Sequence, residues 1–195
     1  MTNIKIAIIG CGGIGSYFVR CLCEVIKKDI AGFNKINPLA IDLFDYDLIE
    51  EKNLTYQNFD IEHLGLNKAK VLSDITGYRA RADKIISLDQ LSNYNFIILA
   101  VDNNKVRNIV YNSGIPFLDL RANGKTIMAY LTQKDDQEYL ELTQDDGSKG
   151  GCQREDDIEE RHIQFGNKII AEIGIQFLAD YLRGETKQKK LILTL

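Results

Sequence analysis

The stretch from Ile4 to Ser16, reading IKIAIIGCGGIGS, constrains this chain more than any other. Ile4, Ile6, Ala7, Ile8 and Ile9 make a short apolar run with the character of a buried strand. The run stops at Gly10, and helical spacing begins after Gly15. Strand, glycine turn and helix form the context in which a G-x-G-x-x-G match at Gly10, Gly12 and Gly15 carries meaning. Such glycines let the backbone turn sharply and approach a phosphate, and the helix that follows aims its unpaired N–H groups and positive dipole end at that anion. Taken alone, the motif points to a nucleotide of some kind, and the choice between nucleotides is made downstream.

The remaining elements read in alternation. Ile14, Phe18, Val19, Leu22, Val25 and Ile26 recur at helical spacing, and Leu39 to Phe44 is the second strand, ending at Asp45-Tyr46-Asp47. Gly10 and Asp45 lie 35 positions apart, against about 20 in an ordinary dinucleotide fold, so the helix and loop between the first two strands are lengthened. Glu50 to Leu64 is polar and irregular. Lys68 to Ile75 is predicted helical with Gly77 ending it, and a weak strand is predicted around Ala80 to Ile86. Asn95 to Val101 is a buried parallel strand, followed by a helix over Asn103 to Asn112 and a strand over Ile115 to Leu120. Thr126 to Thr132 and Glu138 to Leu142 then read as antiparallel strands. A charged loop from Thr143 to Glu160, a long amphipathic helix over Ile163 to Leu182 and a last strand at Leu191 to Leu195 complete the chain. The expectation is an α/β fold: a Rossmann-like, mostly parallel sheet flanked by helices and extended by antiparallel strands, in a single domain over residues 1–195.

Bulk properties narrow the function. A net charge of −4 argues against a nucleic-acid grip, and no apolar run approaches a membrane span. The four cysteines, Cys11, Cys21, Cys23 and Cys152, contain no C-x-x-C pair, which excludes the usual zinc framework and suits a reducing cytoplasm. His63 and His162 have no metal partners in the pattern and read as surface residues.

Three groups fall at strand ends or helix starts on the edge where open parallel sheets bind ligands. Asp45 is placed to accept hydrogen bonds from ribose hydroxyls, Asp102 to hold Mg²⁺ against phosphates, and Lys68 to neutralise phosphate charge. Singly, each is more simply a cap, a turn or a solvated charge. Together they sit in words that resemble one family. GCGGIGS (Gly10 to Ser16), FDYDLIEEKNLTYQNF (Phe44 to Phe59), LGLNKAK (Leu64 to Lys70) and AVDNNKVRN (Ala100 to Asn108) resemble, in order, the motifs of the ThiF/MoeB/E1-like adenylyltransferases. These enzymes use ATP to activate the C-terminal carboxylate of a ubiquitin-like or sulfur-carrier-like protein. The resemblance implies a nucleotide site of Gly10, Gly12, Gly13, Gly15, Asp45, Asn53, Gln57 and Lys68. It also implies Mg²⁺ on Asp102, a motif arginine at Arg107 and a homodimer, while charge and hydropathy leave no nucleic-acid or membrane partner expected.

The sequence departs from the family pattern at Tyr56, which stands where an arginine is usual; either another cation substitutes, with Arg121 or a partner-chain arginine as candidates, or activity is weakened. Tyr56 also invites the reading of a non-catalytic half of a heterodimer. An NAD-binding Rossmann protein is the other rival, disfavoured by the Gly10–Asp45 spacing and the Asn53/Gln57/Lys68 block. Cys152 lies in GSKGGCQRE, which resembles the family's crossover segment, where some members carry a cysteine that takes the activated partner covalently. Lys149 and Arg154 favour its thiolate and Glu155, Asp156 and Asp157 oppose it.

Overall fold

The computed structural model describes residues 3–30, 32–33, 39–144 and 165–195. Strand β1 (Ile4–Ile9) is followed by α1 (Gly13–Lys27) and β2 (Leu39–Phe44). Two 3₁₀ turns (Glu51–Thr55 and Ile61–His63) lead into α2 (Lys68–Thr76) and β3 (Arg79–Arg81), and a third (Leu88–Leu91) into β4 (Phe96–Leu99) and α3 (Asn104–Asn112). Then come β5 (Phe117–Asn123), β6 (Thr126–Thr132), α4 (Gln137–Gln144), α5 (Gly166–Arg183) and β7 (Lys190–Thr194).

The seven strands form one sheet in the order β3-β2-β1-β4-β5-β6-β7. The first five are mutually parallel, while β6 runs antiparallel to β5 and β7 antiparallel to β6. Both faces of the central strands are covered, which is why β1 reads as an unbroken apolar run rather than an alternation. Ile6 and Ile8 join one core layer with Phe18 and Leu22 of α1 and Ile170 and Leu178 of α5. Ala7 and Ile9 face the other way, against Val106 and Val110 of α3 and Tyr139 of α4. Helix α5 packs so closely that a Cβ on Gly174 would lie 2.7 Å from Leu120 Cδ1 and 3.2 Å from Phe18 Cε2.

The connection from β1 leads to β2 on one side of it, and β4 lies on the other. That reversal opens a crevice beyond the C-terminal ends of β1 and β4, the place where doubly wound sheets take ligands.

One expected element is different. Glu138 to Leu142, expected as a strand, is the body of helix α4. The Asp136 carboxylate accepts the Tyr139 N–H at 3.1 Å, a side-chain cap that starts a helix, and Tyr139 is then buried against Tyr111, Phe117 and Tyr130. The other boundaries move by a few residues: the weak strand near Ala80 is the short edge strand β3, and the long helix is described from Gly166.

Candidate active site

The glycine turn is shaped by close approach. Gly10 adopts φ +93°, and a Cβ there would lie 2.4 Å from the Ala100 carbonyl oxygen. A Cβ on Gly15 would lie 1.9 Å from Gly10 O, so α1 can start this close to β1 only with glycine there. Gly13 packs against Asn167 of α5, whose Nδ2 occupies the space 2.7 Å from where a Cβ would stand. Gly12 differs: its nearest neighbour would be Gln57 Nε2 at 3.8 Å, so its face is left open to the crevice.

Asp45 braces this turn from the end of β2. One carboxylate oxygen accepts the Cys11 N–H at 2.7 Å and the other the Asp47 N–H at 2.9 Å. Burial raises the Asp45 pKa above its ordinary value, and those two N–H bonds and Lys68 only partly offset it. Cys11 is fully buried and its thiol is pushed well up, first by burial and then by the Asp45 charge. It is a packing residue.

The polar segment after β2 supplies the next wall. Asn53 is buried; its Oδ1 accepts the Glu50 N–H at 2.9 Å and its Nδ2 donates to the Tyr56 hydroxyl at 3.3 Å. Gln57 is buried beside it, and its Oε1 has no hydrogen-bond partner. Lys68 opens α2 with its side chain 9% exposed, and its Nζ lies 3.5 Å from Asp47 Oδ2. A cation in the first turn of a helix opposes the macrodipole. Lys68 is held against that local preference, with its ammonium at a cavity wall.

These residues enclose a cavity of about 410 Å³ over the C-terminal ends of β1 and β4, in the size range of small-molecule sites. Gly10, Gly12, Gly13, Asp45, Asn53, Gln57, Lys68 and Asp102 all line it. Gly15 lies beneath, in the packing of helix on strand. Asp102 follows β4, is exposed to the cavity, and forms no hydrogen bond or ion pair with another described residue. An unshared carboxylate at the wall of this cavity is the kind of hard oxygen donor that Mg²⁺ takes.

Two expectations change here. Arg121 does not replace the charge missing at Tyr56. Like Phe117 and Asp119, it faces the α3–α4 side of the sheet, where its guanidinium pairs with Asp119 at 2.7 Å and lies over the Tyr139 ring. Burial opposes its charge, but Asp119 more than compensates and raises its pKa. His63, read as a surface residue, is half-buried, and its Nδ1 accepts the Asp60 N–H at 2.9 Å. Cys152 and His162 lie outside the described residues.

Lining residues that the sequence reading gave no role include Glu50 and Lys52, inside one of the motifs, and Asp83, Lys84 and Ile85, outside all of them. Lys52 pairs with Glu50 at 2.7 Å, and Lys84 lies over the Tyr46 ring. Five carboxylates (Asp45, Asp47, Glu50, Asp83, Asp102) face three ammonium groups (Lys52, Lys68, Lys84), with no arginine among the lining residues. Such a cavity repels a bare polyphosphate and suits one that arrives with a divalent cation.

The model of the ThiF family matches residues 1–187. The chain belongs to the ThiF family. Among solved structures, this ThiF-family chain is similar to E. coli MccB bound to ATP, with a TM-score of 0.67 and 17% identity over 99% of this chain and 61% of that one. It is also similar to E. coli MccB with AMPCPP and the selenomethionine form of MccA, with a TM-score of 0.66 and 16% identity over the same shares. PaaA gives a TM-score of 0.66 and 19% identity over 98% of this chain and 69% of that one. The chain thus spans about 61% of the length of MccB. No curated protein sequence matches it. The common ground with these structures is the fold: a Rossmann-like, mostly parallel sheet with antiparallel strands at one end. No helix among the described residues is long and apolar enough to cross a membrane.

Proposed function

We propose that this ThiF-family chain is an ATP- and Mg²⁺-dependent adenylyltransferase that activates the C-terminal carboxylate of a small ubiquitin-like or sulfur-carrier-like protein. The observation that carries the reading is the convergence of four separate elements on one cavity. The glycine turn, Asp45, Lys68 and Asp102 come from different parts of the chain and line the same space. That MccB, which has this fold, has been seen with ATP and with MccA supports a nucleotide and a peptide or small protein as the two substrates.

A carboxylate is a weak nucleophile and is repelled by polyphosphate. The site must hold it in line with the α-phosphorus and offset charge on the phosphate oxygens. The N–H groups at the start of α1, around Gly12 and Gly13, face the phosphates, and Lys68 offsets charge as it shifts towards the departing pyrophosphate. Asp45 takes the ribose hydroxyls on the lone pairs its two backbone bonds leave free, and Asn53 and Gln57 line the nucleotide wall. Asp102 would hold Mg²⁺, which supplies electrostatic neutralisation of the phosphate oxygens. One carboxylate oxygen bonds to the α-phosphorus as the bond from that phosphorus to the bridging oxygen breaks. The electron pair leaves with pyrophosphate, and no proton moves. A homodimer and a covalent role for Cys152 after adenylation complete the proposal.

The test is partner-dependent exchange of labelled pyrophosphate into ATP. Magnesium-dependent ATP binding without preference for NAD is expected, with exchange collapsing in Lys68→Ala and Asp102→Ala; exchange at the wild-type rate in both would overturn the site. Tyr56 favours a second reading, a non-catalytic subunit. ATP binding with no exchange in the presence of an adenylated partner's precursor would support that one instead.

A further inference from the structure

The loop that carries Asp102 is anchored from behind. Strand β4 ends at Leu99, and the next peptide is still bonded to β1 through Ala100 N–H and Ile9 O at 2.9 Å. Beyond it, the Val101 carbonyl accepts a hydrogen bond from Arg107 Nη2, while Arg107 Nη1 donates to Asn104 Oδ1 at 3.0 Å. The Arg107 guanidinium therefore grips the peptide just before Asp102 and the first turn of α3 just after it. Arg107 is itself buried, and its Nε is held by Asp119 Oδ2 at 3.3 Å.

Asp119 is wholly buried on β5. The same Oδ2 accepts Arg121 Nε at 2.8 Å and the Tyr139 hydroxyl at 2.9 Å, whereas Oδ1 has no partner. Arg121 Nη2 continues to Thr143 Oγ1 at 3.1 Å, in the last turn of α4. One carboxylate oxygen thus joins two stations that no strand pairing connects: the loop bearing Asp102 and the end of α4. A buried ion cluster of this kind contributes little net stability over an apolar filling, but losing its central anion leaves two buried guanidinium groups poorly compensated. Groups that orient a metal-bearing carboxylate from behind alter metal affinity without touching the ion.

We propose that Asp119 is a positioning residue for Asp102: acting through Arg107 it sets the loop that presents the metal-binding carboxylate, and through Arg121 and Tyr139 it ties that loop to the end of α4. This rests on the reading that Asp102 holds Mg²⁺.

The experiment measures ATP affinity by titration calorimetry in EDTA and across a Mg²⁺ series, with thermal melting alongside, for wild type, Asp119→Asn, Tyr139→Phe, Arg107→Lys and Asp102→Ala. In Asp119→Asn the Mg²⁺ concentration that gives half of the gain in ATP affinity is expected to rise about tenfold or more, while affinity in EDTA stays within about twofold. Tyr139→Phe should shift the midpoint less, in the same direction. A purely structural role would lower the melting temperature and leave the Mg²⁺ midpoint in place, which overturns the proposal. Should Asp119→Asn fail to melt cooperatively, Arg107→Lys decides: it keeps a cation but loses the fork that reaches Val101 O, and its midpoint must rise too. Asp102→Ala separates the two layers. If it moves the Mg²⁺ dependence while the other variants do not, only the role of Asp119 falls; if it moves nothing, the assignment of the metal falls as well.

Discussion

Replacing Lys68 by methionine separates chemistry from folding. The methionine keeps most of the apolar stem in a buried position and removes the charge. Three terms bear on stability. Removing a cation from the first turn of α2 relieves about 0.3–1 kcal/mol of unfavourable dipole interaction. Losing the pair with half-exposed Asp47, 3.5 Å away, costs about 0–1 kcal/mol. The Lys68 main-chain bond to Asp47 O at 3.0 Å is untouched. The sum lies within about 1 kcal/mol of zero, or about 2–4 °C in melting temperature for a chain of this size. On the chemical side, a preorganised donor aimed at developing charge is worth about 3–4 kcal/mol, roughly 10²–10³-fold in rate. Pyrophosphate exchange in Lys68→Met is therefore expected to fall by roughly that factor while the melting curve stays almost superimposable. Exchange within about threefold of wild type would refute the placement of Lys68 on phosphate. A collapse of the melting curve would refute the claim that Lys68 is held there against local preference.

Gly15→Ala is expected to destabilise by about 3 kcal/mol, read by urea denaturation, because its methyl would meet the Gly10 carbonyl oxygen, a backbone atom with nowhere to go. Tyr56→Arg should tighten Mg·ATP binding roughly fivefold, about 1 kcal/mol for one partly solvated ion pair, measured by calorimetry; unchanged affinity would show that charge at this wall is not limiting. Asp42 and Asp45 should respond to acid in opposite senses. Asp42 is held low by Arg79 and Tyr94 against the effect of burial, so its contribution to stability is present above its unfolded value and lost as pH falls through the depressed folded one. Asp42→Asn should flatten that acid limb in chemical denaturation run below about pH 4. Asp45 is raised by burial, so it favours the fold only when protonated, and that contribution disappears as pH rises through its folded value. ATP affinity should accordingly begin to weaken on acidification at a pH above the ordinary aspartate value, before the fold is lost.

The parts of the molecule legible in its sequence are those with local grammar. The apolar runs of β1 and β4, the glycine turn, the Asn67 and Gly77 ends of α2 and the Asn103 cap of α3 each state their structure within a few residues. The candidate residues Asp45, Lys68 and Asp102 share that grammar, since strand ends and helix starts face the crevice in this topology. Tyr139 shows where that grammar misleads. E-Y-L-E-L alternates like a strand, and only the Asp136 cap, which is readable in the sequence, signals a helix. Arg121 shows what pattern cannot provide: which face of β5 it takes depends on the strand's register and on the buried anion at Asp119, a long-range fact. Lys84 lies in a connection without periodicity, so nothing nearby marks it as a cavity wall, whereas Lys52 adjoins Asn53 and lay within reach of the motif.

Asp45 has one more consequence. Because its oxygens clasp two main-chain amides through bonds that need no nucleotide, the turn proposed to receive the phosphates is set by the chain itself. A receptor surface built in advance sacrifices little freedom on capture. Uptake of ATP should therefore follow a single fast phase with no slow rearrangement behind it, and AMP should leave as readily. On the proposed function, that suits an enzyme that exchanges its small ligand every turnover while it waits on a much larger second one.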